Sequence, residues 1–384
     1  MPRPALQQML RELIAAPSVS SVSPEFDTGN RPVIDLLAGW LEDLGFAVRI
    51  DALPHHPAKA NLVATLGAGP GGLVLAGHAD TVPCNPELWR DDPWTLTEHD
   101  GALHGLGASD MKSFFAFALD VAAGVDPKAL REPLVVVATA DEESTMAGAK
   151  ALVAAGRLPG RWAVIGEPTS GRPVRAHKGV FMERALTSGR AGHSSDPRLG
   201  VNAIDAMHRL IAELFIARDE LAAANPAPQF SVPHPTVNLG RIVGGDNPNR
   251  ICPSCTLSFD CRVVPGMDLA ATRAALRQRL ERAVAGTGAA IAFEALLDGV
   301  PAYAAAEGSA LVEAAEQLLG TRAEAVAFAT EAPFFGILGI ETVIAGPGEL
   351  KVAHQPEEAL RLAAIPGYRA FLERMVERCC LRVA

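Results

Sequence analysis

The sequence predicts an α/β fold in two domains, on three observations. The chain has 384 residues, more than one ordinary core accommodates. Its first part alternates apolar runs with helical patterns. Near Gly179 that pattern gives way to another. The fold class is therefore an α/β domain with a mostly parallel central sheet, interrupted by an inserted ferredoxin-like β-α-β-β-α-β domain.

The elements follow in order. LVLAGHADTVP (73–83) begins as an apolar run and ends in polar residues. SFFAFALDVAAGV (113–125) reads as a buried helix. PLVVVATADEES (133–144) is another apolar run ending in acids, and MAGAKALVAAG (146–156) is a helix closed by glycine. RWAVIGEPTS (161–170) is a third strand ending in an acid. In open α/β sheets ligands bind beyond the carboxyl ends of strands, where these polar residues fall. The inserted pattern is a strand at 181–188, a helix at about 201–224, strands at 235–243 and 255–264, a helix at 268–286 and a strand at 289–296. A helix at 307–320, short strands at 324–329 and 342–346, and a final helix from about 357 return to the first pattern. The predicted domains are 1–178 with 298–384, and 179–297.

Composition excludes several classes. Apolar residues make up 49% and charged residues 20% of the chain, and 34 basic against 44 acidic side chains give a net charge of −10. That balance, with no basic run, argues against a nucleic-acid partner. Leu6, Met9, Leu10, Leu13 and Ile14 follow helical spacing, and Gln7, Gln8, Arg11 and Glu12 interrupt any signal-peptide core. The apolar stretch 323–346 is broken by Glu324, Glu331, Pro333 and Glu341, so no membrane span is expected. A cytoplasmic location follows. Six cysteines make no disulfide scaffold in a chain this long. The Cys252/Cys255 pair lacks a second half-site, so buried thiols are favoured over a metal site, with Cys261 in the same apolar region.

Five candidate metal ligands stand at strand ends or in loops: His78, Asp110, Glu143, Glu167 and His354. Mixed imidazole and carboxylate ligands suit zinc, and also cobalt or manganese. A carboxylate with two free oxygens can bridge two ions. Singly, each residue has an ordinary structural explanation; the five together point to a metal centre. Glu142 and Glu143 are adjacent, and neighbours on an extended strand point opposite ways. A turn or bulge must bring both to one site.

The motifs GHADTVP (77–83), GLGASDMKS (105–113), ADEES (140–144), GEPTS (166–170) and AHQPEE (353–358) resemble those of the aminoacylase and carboxypeptidase family with co-catalytic zinc. The resemblance covers nearly the whole chain and implies a zinc-exopeptidase-like catalytic domain. It also implies two divalent metal ions, with His78 and Glu167 on one, Glu143 and His354 on the other, and Asp110 bridging. It makes Asp80 the carboxylate that orients the His78 ring and Glu142 the general base. GHSSDP (192–197) matches the motif whose histidine reaches from a partner subunit into the active site. His193 would then steady the oxyanion, and the inserted domain would serve as lid and dimerisation domain of a homodimer.

ADEESTMAGAK (140–150), VRAHKG (174–179), GHSSDPRLGVNAI (192–204), TVNLGRIVGGDNPNRIC (236–252) and ATEAPFF (329–335) resemble the acetylornithine branch of that family. They imply a small-molecule N-acyl amino acid as substrate, N2-acetyl-L-ornithine first, in arginine biosynthesis. Arg250 offers a planar fork to an α-carboxylate. Asn238 and Thr330 are further candidate substrate contacts. Glu331 is read as a loop hydrogen-bonding residue rather than a contact for a substrate ammonium. Alternatives within the family are an N-succinyl-diaminopimelate desuccinylase, a broader N-acyl-amino-acid deacylase, an N-acetyl-citrulline deacetylase or a dipeptidase. A non-catalytic binding paralogue is the alternative of another class, and it predicts a lost ligand or base.

Overall fold

A computed structural model describes residues 5–54, 56–156 and 158–381. The chain divides into two compact units. One comprises residues 1–175, 305–324 and 330–384, and the other residues 176–304 and 325–329.

The first segment runs α1 (Leu6–Ala15), α2 (Arg31–Asp43), β1 (Ala47–Leu53), β2 (His56–Leu66), β3 (Leu73–His78), β4 (Thr97–His99), β5 (Ala102–His104), α3 (Lys112–Ala122), β6 (Leu134–Thr139), α4 (Ala147–Ala155) and β7 (Trp162–Ile165). The second contains β8 (Val174–His177), β9 (Gly179–Ser188), α5 (Ala203–Ala224), β10 (Thr236–Gly244), β11 (Ser254–Val263), α6 (Leu269–Val284), β12 (Ala290–Val300) and β13 (Tyr303–Ala304). The last runs α7 (Ala310–Leu319), β14 (Glu324–Val326), α8 (Ala332–Ile337), β15 (Glu341–Ile344), β16 (Ala359–Arg361) and α9 (Ile365–Val376).

In the first unit the central sheet has the order β1-β2-β6-β3-β7-β15. Strands β6, β3, β7 and β15 pair in parallel, whereas β1 with β2 and β2 with β6 pair antiparallel. The sheet is thus parallel at its centre and mixed overall. Every residue of β3 and β6 is buried, as unbroken apolar runs require when helices cover both faces. Helix α3 carries Phe114, Phe115 and Phe117, all buried, and an all-round apolar helix belongs inside. Gly166 permits its close approach: a Cβ there would fall 2.1 Å from the Phe114 ring. Gly156, at φ 71°, ends α4.

The final helix begins at Ile365, later than the sequence suggests. Residues 359–361 instead pair with 102–104 as the edge of a small sheet ordered β16-β5-β4. Local pattern cannot report such a pairing, because its backbone partners lie some 250 residues away.

The second unit is a four-stranded antiparallel sheet, ordered β10-β11-β9-β12. Burial alternates along β9 and β11, as in a sheet with one covered face. Phe181, Leu257, Phe259 and Cys261 pack with Leu210, Leu214, Leu276 and Leu280 of α5 and α6. Asn202 and Asp268 cap those helices by accepting from Ile204 N–H and Ala271 N–H. Cys252, Cys255 and Cys261 lie in this core as free thiols, and Cys252 Sγ donates to Ser254 O at 3.1 Å.

Candidate metal centre

The first unit gathers its acids at the carboxyl ends of adjacent parallel strands. His78 is the last residue of β3, Glu142 and Glu143 follow β6, and Glu167 lies two residues beyond β7. Asp110 lies two residues before α3, and His354 sits in a turn before β16. The Asp110–Met111 peptide is cis.

Asp110 turns one oxygen toward each histidine: Oδ1 lies 3.1 Å from His78 Nε2 and Oδ2 lies 3.4 Å from His354 Nε2. His354 Nε2 is also 3.0 Å from Glu143 Oε1. His78, Asp110 and Glu143 each place one ligand atom within 4.8 Å of the others. His78 Nδ1 lies 3.0 Å from the Asp80 carbonyl oxygen. A carbonyl only accepts, so this contact uses the Nδ1 proton and aims Nε2 at Asp110. Glu167 Oε1 is buried with no hydrogen-bond partner among the described residues. A bridging carboxylate, two converging imidazoles and an orphaned buried carboxylate oxygen fit a pair of divalent cations.

The electrostatics agree with that fit. Burial raises Glu142 and Glu167 well above the ordinary carboxylate range, and the charge of Glu167 adds to the rise at Glu142. Burial alone would also raise Asp110, but the hydrogen bonds with His354 and His78 outweigh it and bring it down to about 2. Burial opposes a charge on His78, yet Asp110, Asp80 and Glu142 lift it well above its usual value. Hydrogen bonds with Asp110 and Glu143 raise His354 to about 10. Crowded acids that compete for two imidazoles form a strong field for cations.

The Glu142–Glu143 pair is resolved by a turn, as the spacing of adjacent residues requires. Asp141 takes φ 60°, which breaks the strand direction. Asp80 Oδ1 and Oδ2 then accept the Glu142 and Glu143 backbone N–H groups at 3.3 and 3.1 Å. Here the structure differs from what the resemblance implies. The nearer Asp80 carboxylate oxygen is 3.8 Å from His78 Nδ1, so the carboxylate holds the acid-bearing turn while the backbone oxygen orients the ring.

Residues 74–378 match the family described as peptidase family M20/M25/M40. An acetylornithine deacetylase of Proteus mirabilis is 44% identical over 378 residues, which are 98% of this chain and 97% of that protein. The chain belongs to the peptidase family M20/M25/M40. Among solved structures, a tripeptidase of Staphylococcus aureus shares the fold with a TM-score of 0.76 at 21% identity, over 97% of both chains. A Bacillus subtilis protein described as a dinuclear metal-binding peptidase of family M20 has a TM-score of 0.66 at 18% identity, over 97% of this chain and 96% of that one.

The other candidates of this M20 chain are placed as follows. Thr330 is buried, and its Oγ1 accepts the Ala332 N–H at 3.2 Å. His193, Arg250 and Asn238 all belong to the second unit and are exposed. His193 Nδ1 contacts Ser195 Oγ at 2.7 Å and accepts the Ser195 N–H at 3.2 Å. Arg250 bonds Asp246 at 2.6 Å and bridges His193 through its backbone.

Glu331 lies in the bend that caps α8. It is fully buried in the first unit, and burial pushes its carboxyl up to about 7, within the fields of His78 and Asp80, while a hydrogen bond with Thr139 works against the rise. Two further residues escape sequence reading. Glu358 Oε1 accepts the Ser109 and Asp110 N–H groups, both at 2.8 Å, and so holds the bridging aspartate in place. Lys59 reaches Asp141 at 2.7 Å and Asp27 at 2.8 Å, and so pins the turn beneath Glu142. The doubled acid at 357–358 was the available signal for the first; nothing local marks Lys59.

Proposed function

We propose that this chain hydrolyses the amide of N2-acetyl-L-ornithine to L-ornithine and acetate, as a cytoplasmic homodimer serving arginine biosynthesis. The observation that carries the hydrolytic reading is Asp110, with one oxygen toward His78 and the other toward His354. Full-length likeness to a protein named acetylornithine deacetylase supports the substrate. No helix among the described residues is long and apolar enough to cross a membrane.

His78, Glu167 and Asp110 would hold one divalent ion, and Glu143, His354 and Asp110 a second, with zinc the first choice and cobalt or manganese also suited to these donors. Bound there, the ions supply Lewis acidity and lower the pKa of water. Glu142 acts as general base: it takes a proton from water as the water oxygen attacks the acetyl carbon. The C–N bond then breaks, and Glu142 returns the proton to the departing amine. Asp80 keeps Glu142 in place through its backbone N–H. The partner subunit's His193 donates a hydrogen bond to the oxyanion, which makes the second unit the lid and dimerisation domain. Arg250 receives the substrate α-carboxylate by exchanging Asp246 for it, and Asn238 and Thr330 complete the substrate contacts.

The test is amine release from N-acetyl-ornithine, N-acetyl-citrulline, N-acetyl-methionine, N-succinyl-diaminopimelate and a dipeptide, with a chelator control. N-acetyl-ornithine is expected to have the highest kcat/KM, abolished by chelation and restored by zinc or cobalt. Preference for another member would overturn the substrate, and chelator-insensitive turnover would overturn the metal centre.

A further inference from the structure

The turn that carries Glu142 and Glu143 is gripped at a second point, by residues far from it in the chain. Strand β2 pairs with β6 in a register that sets Leu62 opposite Ala138. Carried on past the end of the ladder, the same register brings Lys59 to Asp141. Both side chains are buried, and Lys59 Nζ lies 2.7 Å from Asp141 Oδ1 and 2.8 Å from Asp27 Oδ1. Burial works against the Lys59 charge, but the hydrogen bonds with Asp141 and Asp27 outweigh it and raise the ammonium above its ordinary value.

The segment 19–28 supplies the rest of the grip. It closes on itself: Val19 N–H donates to Thr28 Oγ1 at 2.8 Å, and Thr28 N–H donates to Val19 O at 3.0 Å. The closed loop presents Ser20 to Asp141 and Asp27 to Lys59. Ser20 Oγ lies 2.8 Å from Asp141 Oδ1 and 2.5 Å from Ser144 Oγ. The carboxylate only accepts, so the Ser20 proton goes to Asp141 and the Ser144 hydroxyl donates to Ser20. The same segment runs beside Asp80. Ser20 N–H donates to Thr81 O at 2.9 Å, and Thr81 N–H donates to Ser18 O at 3.0 Å.

Two anchors therefore hold the acid-bearing turn. The Asp80 carboxylate takes the backbone N–H groups of Glu142 and Glu143, and Lys59 with Ser20 takes the Asp141 side chain. One anchor leaves the turn free to swing about it; two fix the direction in which the acids leave the backbone. The second is needed because Asp141 sits at φ 60°, a conformation that a residue other than glycine keeps only when its surroundings hold it there. A displacement of about 1 Å near reacting atoms costs on the order of a hundredfold in rate.

We propose that Lys59, acting with Ser20 through Asp141, is a positioning residue for the dinuclear centre: it sets Glu143 to face a metal ion and Glu142 to face the reacting amide. This rests on the dinuclear reading given above. Neither Lys59 nor Ser20 touches metal or substrate; both act through the turn.

The experiment uses the full chain, stripped with chelator and titrated with cobalt(II) in a calorimeter. Lys59→Met keeps most of the aliphatic stem and removes the charge. One of the two cobalt equivalents is expected to bind about 10–100-fold more weakly than in the wild type. At saturating cobalt, kcat on the amide that the wild type hydrolyses best is expected to fall at least about tenfold with KM little changed. A merely structural lysine would lower the melting temperature and leave both affinities as they are. Unchanged affinity at both equivalents, or an equal loss at both, overturns the proposal, and an unchanged kcat with one equivalent weakened overturns it for Glu142. Lys59→Met leaves the buried Asp141 without its cation, which destabilises a fold. If circular dichroism shows that this variant is unfolded, Ser20→Ala decides in the same titration. At least about threefold weaker binding at one equivalent, the worth of a hydrogen bond, supports the proposal, and unchanged binding overturns it. A wild type that binds no cobalt overturns the dinuclear reading itself; a wild type with two equivalents beside a Lys59→Met chain that matches it overturns this proposal alone.

Discussion

The two units bury acids in opposite ways. In the second unit Glu183 is 1% exposed and held by two arginines: Arg277 binds both oxygens at 2.8 and 2.7 Å, and Arg273 lies at 3.2 Å. In the first unit Glu142, Glu167 and Glu331 share a crowded centre, and burial raises all three. A structural acid is given cations of the protein's own, because an unpaired buried charge destabilises the fold. An acid kept for chemistry is left with its compensation to be supplied by something that binds.

The most severe test of that contrast is Glu142→Gln. If the first-unit acids serve chemistry, kcat should fall by roughly 10²–10⁴-fold while bound metal and melting temperature stay near wild type. Undiminished turnover with metal bound would remove Glu142 as the base.

A second test uses His177 in the second unit. Burial lowers this imidazole to about 4. Between its ordinary value and that one, the unfolded chain binds more protons than the native chain. Stability from a neutral His177 is therefore complete above about pH 6.5 and declines as pH falls toward 4, by up to about 3 kcal/mol. His177→Phe should flatten that limb of a stability curve measured by urea unfolding across pH 4–7. An unchanged slope would mean that the ring titrates normally.

The smallest expected effect sharpens the contrast from the structural side. Arg277→Met leaves Glu183 with Arg273 alone and, by the lost hydrogen bonds to a charged group, should cost about 2 kcal/mol in urea unfolding, with kcat unaffected if the second unit remains folded. A large loss of kcat without loss of stability would give Glu183 a part in the chemistry.

Much of this architecture was legible because it is local. The buried runs of β3 and β6, the glycine that ends α4 and the β-α-β-β-α-β order all announce themselves through apolar period and turn residues. The candidate ligands were legible as residue types at strand ends and through motifs of the family. The start of α9 was misplaced because β16 depends on a distant partner. Strands β1 and β2 make the sheet mixed, and their pairing direction is set by their neighbours rather than by their own residues.

Residue pattern alone carried the two-unit fold class and the identity of the acids and imidazoles, since burial period and side-chain chemistry are properties of the chain itself. Tertiary packing decided how those groups are used. It gave the Asp80 carboxylate to two backbone amides and its carbonyl to His78. It set Glu358 behind Asp110 and Lys59 behind Asp141. It also stacked His99 on His104 against Glu357. Each of these contacts joins residues or atoms whose meeting depends on strand register and the path of the backbone, and a hydrogen bond exists only when the fold has brought donor and acceptor within about 3 Å.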